Sequence, residues 1–133
     1  MKETPELRSR IMRAVKGANT APELAVRSMV HRMGYRFRLH RRDLPGKPDL
    51  VFPRRKKVVF VHGCFWHGHD CARGARMPKA NADYWRAKIA RNRSRDLVHL
   101  KALKTAGWRA AVVWECELKK LTRVANRLAR FLG

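Results

Sequence analysis

The sequence predicts a single α/β domain in which a mixed sheet is covered by helices on both faces. Three observations carry that expectation. Apolar periodicity switches between helical and strand spacing along the chain, in the order α, α, β, β, β, α, β, α. The 133 residues are 45% hydrophobic, enough for one core of ordinary size. No repeat or low-complexity segment interrupts the pattern, so no second domain is expected.

Thr4, Pro5 and Glu6 read as a helix start, but residues 7–16 are basic with only Leu7, Ile11, Met12 and Val15 apolar. Residues 1–18 are therefore expected as a loosely attached basic arm. Thr20 and Glu23 stand at capping-box spacing, and Val26, Met29, Val30 and Met33 recur at helical intervals before Gly34, which stops the helix. Tyr35, Phe37 and Leu39 alternate with Arg36, Arg38 and His40, the period of a half-buried strand. After the turn at residues 44–48, two apolar runs, 50–52 and 58–61, flank a basic tip and read as paired strands. A loop to about Asn81 precedes a long helix that starts at Asp83 or Tyr84 and runs to Ala106, closed by Gly107. Residues 108–114 are expected as a strand buried by its Ala and Val content. Leu121, Val124, Ala125, Leu128 and Phe131 mark a last amphipathic helix. On the long helix Trp85, Ile89, Leu100 and Leu103 form an apolar stripe, yet Asn92 and Asp96 fall on the same stripe. Those two polar groups face inward, either to brace neighbouring loops or to serve a site.

Charge narrows the partner. Lysine and arginine number 32 against 10 acidic residues, a net charge of +22 spread over the whole chain. A solvated surface needs no such one-sided excess, and phosphate neutralisation by basic side chains is the main source of nucleic-acid affinity, so a nucleic acid is the expected partner. An anionic membrane surface is the weaker alternative. No apolar run approaches a membrane span and nothing at Met1 resembles a signal peptide, so a soluble cytosolic protein is expected.

Residues 64–71 concentrate two thiols, two imidazoles and two large aromatic rings: Cys64, Phe65, Trp66, His67, Gly68, His69, Asp70 and Cys71. With Cys116 the chain has only three cysteines, which argues against a secreted disulfide framework and for a closed tetrahedral zinc site of three thiolates and one imidazole. His69 is the preferred fourth ligand, because in a locally extended segment it shares a face with Cys71; His67 alternates onto the same face and competes for the place. Cys116 would staple the C-terminal part of the fold to this loop, making metal binding largely folding energy.

Pro48 and Asp49, at a strand start before a hairpin, resemble the first half of the motif of restriction-type metal-dependent nucleases. That motif normally adds a second acid and a lysine on the next strand. Here that strand ends Phe60, Val61, His62, with no acid between Asp49 and Asp70, so a two-carboxylate site is not expected. Instead Asp49 would hold Mg²⁺ against the phosphate, and His62 and His67 would carry the proton transfers of phosphodiester hydrolysis.

Residues 44–49, residues 61–67, Gly107 to Arg109 and Val113 to Cys116 together resemble the very short patch repair (Vsr) mismatch endonuclease family, in order over nearly the whole chain. The resemblance implies a restriction-endonuclease-like fold with a structural zinc. It also implies an enzyme that nicks one DNA strand 5′ to the thymine of a T:G mismatch with Mg²⁺, the lesion left when 5-methylcytosine deaminates. Carried over by position, Asp49 and the main-chain carbonyl of Val61 are Mg²⁺ ligands, and His62 and His67 are catalytic imidazoles with His67 the general base. Glu23 is an acidic residue near the site that orients an imidazole, and Cys64, His69, Cys71 and Cys116 hold zinc. Threonine is common in the family where this chain has Val61, a change that spares a backbone ligand. Gly68 and Asp70 interrupt a run often rich in histidine. Phe65, Trp66 and Trp85 match residues that wedge into the base stack from the major groove, and Met12 one that enters from the opposite side; Lys88 and Asn92 match positions near the mismatched pair. The competing readings are a zinc-stabilised nucleic-acid-binding protein without catalysis and a restriction-type nuclease of other specificity. A monomer acting on nucleoid DNA is expected, with mismatch-repair proteins as candidate partners.

Overall fold

The computed structural model describes residues 20–71 and 77–133. The expected N-terminal arm, Met12 with it, lies outside the described residues.

Helix α1 (Ala21–Arg32) begins at Thr20, whose hydroxyl accepts the Glu23 N–H at 3.4 Å, with Pro22 in the first turn where no amide donor is needed. It ends where Gly34, at φ +96°, turns the chain left-handed, so that Gly34 and Tyr35 donate back to His31 and Val30. The strand expected over residues 35–39 shrinks to β1 (Arg38–Leu39). Its partner β2 (Leu50–Phe52) is three residues long, so only Arg38 and Leu39 find ladder positions, opposite Val51 and Leu50. Tyr35 and Phe37 still turn inward, edge-on to Phe52, while Leu39 is 40% exposed. β2 pairs antiparallel with β3 (Lys57–His62) as expected.

The long helix α2 (Ala82–Thr105) ends in the same glycine device as α1, at Gly107. It returns the chain to β4 (Arg109–Trp114), which lies parallel to β3 with His62 opposite Trp114. β4 is the sheet's edge, and this corrects the expected burial: Val113 is its one fully buried residue. A 3₁₀ turn (Glu115–Lys120) leads into α3 (Leu121–Leu132), which buries Val124, Leu128 and Leu132. At its far end Lys57 and Arg55, from the hairpin tip, donate to the carbonyls of Phe131 and Leu132, cations meeting the negative pole of a helix.

Strand alternation sorts the core into two layers. Leu50, Phe52, Val59 and Val113 meet Val26 and Val30 of α1 and Leu128 of α3. Val51, Val58 and Phe60 meet Leu103 of α2 and Leu44 on the other face. The predicted mixed sheet between helices is therefore the fold, and the parallel strands β3 and β4 carry their carboxyl ends, His62 and Trp114, to the same edge.

Candidate active site and metal centre

Asp49 sits one residue before β2, behind Pro48, whose side chain is fully buried. Its Oδ2 accepts the Val61 N–H at 2.6 Å, which ties it to the carboxyl end of β3. Glu23, 3% exposed, reaches the same place from α1 and hydrogen-bonds the Asp49 carboxyl. The second carboxylate that the strand sequence denies is thus supplied by a helix, and the expected lack of a two-carboxylate site is corrected. Burial pushes the Asp49 carboxyl up to about 8, and the neighbouring Glu23 acts in the same direction. Two oxygen-donor acids that hold a proton between them suit a hard divalent cation, whose charge takes the proton's place. The imidazole beside Glu23 is His40, at 3.3 Å, and Arg27 lies 2.5 Å from the same carboxylate oxygen and 2.9 Å from His40 Nε2. Glu23, His40 and Asp49 bring ligand atoms within 4.8 Å of one another.

His62 and His67 stack face to face, ring centres 3.7 Å apart and planes 1° from parallel. His62 projects from β3 onto the α2 face and is 7% exposed; burial first and then the ring of His67 pull its pKa down to about 4. Its Nδ1 has no hydrogen-bond partner among the described residues. His67 Nδ1 lies 2.6 Å from Asp96 Oδ2. A carboxylate only accepts, so Nδ1 carries the proton and Nε2 is left as the basic nitrogen.

Residues 64–68 form a turn, so His67 does not alternate with His69 onto one face. The His67 amide donates to Gly63, Gly68 to Phe65, and His69 back to Cys64 at 2.9 Å, with Gly68 at φ +62°. This left-handed exit parts the two competing imidazoles: His67 stays with His62, and His69 goes to the thiols. Cys64 and Cys116 each lie two residues beyond the paired strand ends, so the parallel register sets them side by side, and the Cys116 amide donates to Cys64 Sγ at 3.3 Å. Cys116 Sγ is 3.6 Å from His69 Nδ1, and the His69 ring stacks on Trp114 at 4.2 Å. Cys64, His69, Cys71 and Cys116 form one cluster with ligand atoms within 4.8 Å. Burial pushes the Cys64 thiol up to about 12, so the group stays protonated unless a cation takes its proton's place. Three thiols and an imidazole at this spacing are compatible with zinc.

Phe65, Trp66 and Trp85 pack edge to face at 5.1–5.7 Å, all half-exposed, with the Lys88 ammonium 5.7 Å from the rings of Trp66 and Trp85. Asn92 donates to the Trp66 carbonyl at 2.9 Å. The two inward polar residues of α2 therefore divide the work: Asn92 braces the aromatic loop and Asp96 holds an imidazole. Asp49, Val61, His62, Trp66, His67 and Asp96 all line one cavity of about 840 Å³. Asp96 was visible as an inward polar position without a partner to name. Arg27 and His40 carried less signal: Arg27 has helical i,i+4 spacing to Glu23, while His40 follows a strand pattern as an ordinary outward residue.

Residues 2–73 match the family described as DNA mismatch endonuclease Vsr. A type II nicking enzyme, V.XorIIP of Xanthomonas oryzae pv. oryzae, is 56% identical over 129 residues, 97% of this chain and 94% of that protein. The DNA mismatch endonuclease Vsr of Escherichia coli K12 is 39% identical over 112 residues, 84% of this chain and 71% of that protein. The catalytic domain of the homing endonuclease I-Bth0305I superposes with a TM-score of 0.58 over 85% of this chain and 94% of that one; at 18% identity this likeness concerns the fold alone.

Proposed function

This chain belongs to the Vsr family and is a DNA endonuclease, and from that premise we propose that it nicks one strand 5′ to the thymine of a T:G mismatch. The observation that carries the reading is the meeting, in one cavity, of the Asp49 and Glu23 acids, the His62–His67–Asp96 array and the half-exposed rings of Phe65 and Trp66. Asp49, with the Val61 carbonyl, would hold Mg²⁺, and Glu23 stands beside it. Bound there, the ion supplies charge neutralisation at the scissile phosphate. His67, its Nδ1–H held by Asp96, takes the proton of the attacking water at Nε2. His62, kept neutral by burial, faces the phosphate as a hydrogen-bonding group and not as a charge.

Zinc at Cys64, His69, Cys71 and Cys116 would be structural, since these four side chains would fill a tetrahedral shell and leave no place for substrate. Phe65, Trp66 and Trp85 enter the base stack from one groove and Met12 from the other, at a cost of a few kcal/mol that is lowest where pairing is already weak. Lys88 and Asn92 stand near the mismatched pair. The protein works as a monomer, since a nick needs one site, on nucleoid DNA, where mismatch-repair proteins are its natural neighbours. The structure has no helix long and apolar enough to cross a membrane among the described residues. Family membership displaces the reading of a catalytically silent binder.

The test is strand-resolved: protein of measured zinc content, Mg²⁺, and end-labelled duplexes with T:G or T:A at one position in several contexts. A nick confined to the thymine strand of T:G, slowed by roughly 10²-fold or more in His67→Ala, is the expected result. Cleavage indifferent to the mismatch would transfer the reading to a nuclease of other specificity.

A further inference from the structure

A second cavity, about 490 Å³, lies beside the first, and Arg42, Lys47, Arg95 and His99 line it. Lys47, Arg95 and His99 line the catalytic cavity as well, so the two share a wall. The carboxylate in its lining, Asp96, is engaged by His67, and the nearby Asp43 is taken by Arg41. The pocket is left strongly cationic. It is also built by the fold. Gly46, at φ +78°, lets the turn press on α2 so closely that a Cβ there would stand 3.0 Å from His99 Cβ and 3.1 Å from Phe60. Lys47 then donates its amide to Leu44 and adopts φ +50°, a left-handed conformation that a non-glycine residue keeps only where its surroundings impose it. The next residue, Pro48, has a fully buried side chain, which anchors the backbone between Lys47 and Asp49.

We propose that this pocket seats a phosphodiester adjoining the scissile one on the nicked strand, clamped by Lys47 and Arg95 with Arg42 at its mouth. A concave cluster of cations concentrates negative potential, and phosphate contacts fix register without reading sequence. The clamp lays the strand so that the next phosphate meets Asp49, making Lys47 and Arg95 positioning residues for the nick. The inference rests on the DNA-nicking reading and deepens it.

T:G duplexes carrying one uncharged methylphosphonate, stepped along the thymine strand, test it in two assays: binding to the full chain by fluorescence anisotropy with Ca²⁺, and nicking with Mg²⁺. Wild type should lose roughly three- to tenfold in affinity at one position next to the nick. Lys47→Gly, which relaxes the left-handed backbone and so keeps the fold, and Arg95→Ala should each lose affinity on the unmodified duplex and be less sensitive than wild type to the methylphosphonate at that position. Variants that remain as sensitive there as wild type would overturn the clamp. Wild type that binds with this map but does not nick would instead remove the nicking reading and leave the phosphate seat standing.

Discussion

Asp49 shows how far a single residue could be read. Its place after Pro48 marked it as a metal ligand, but its chemistry depends on Glu23, 26 positions earlier, and on the Val61 amide. The unfolded chain loses the Asp49 proton near pH 4, whereas the folded chain holds it to about pH 8. Between those values the folded state binds the extra proton, so stability declines as pH rises across the window. Asp49→Asn keeps the Val61 hydrogen bond and cannot ionise. Without added Mg²⁺ it should be more stable than the parent at pH 8, by about 1–3 kcal/mol in urea denaturation, with the gap closing toward pH 5, and should not nick DNA. A gap of constant size at both pH values would contradict the shared-proton account. His62 and His67 were legible as imidazoles near a carboxylate; their stacking and the Asp96 partner were not, because side chains 29 positions apart share a site only through helix packing.

Among the elements, the short coil over residues 64–69 does the most with the least sequence. Its left-handed exit at Gly68 decides which histidine serves which cluster, and the same glycine lies against α2 so tightly that a Cβ would stand 2.6 Å from Arg93 Cδ and 2.7 Å from Ile89 Cγ2. Arg93 can swing away; buried Ile89 cannot without disturbing the helix stripe. Gly68→Ala should therefore cost about 2 kcal/mol or more, read as a fall in thermal midpoint together with weaker zinc retention, from φ strain and overpacking combined. Retention of both midpoint and zinc would show that the coil can close without a left-handed residue. The three described α-helices were plain in the sequence, since capping residues and periodicity are local. β1 was overread because a strand's length is set by its partner, and β2 offers only three residues.

At the scale of the molecule, a net charge of +22 on 133 residues suits a family that acts on DNA, a polyanion. Duplex affinity should fall by roughly a thousandfold or more between about 50 and 200 mM salt, measured by anisotropy on matched DNA; a loss of only a few-fold would mean that few of these cations meet phosphate. The sequence by itself determined the class of partner, the α/β order of elements, the set of thiols and imidazoles and the motif residues around Asp49, because composition, periodicity and spacing are properties of the chain. Tertiary structure alone decided how these were shared out. The parallel register of β3 on β4, His62 opposite Trp114, brings Cys116 to Cys64 across 52 positions, and α1 lays Glu23 against Asp49. Both pairings arise from non-local packing of helices and strands around a common core, and no local pattern in the sequence records which distant surfaces will meet.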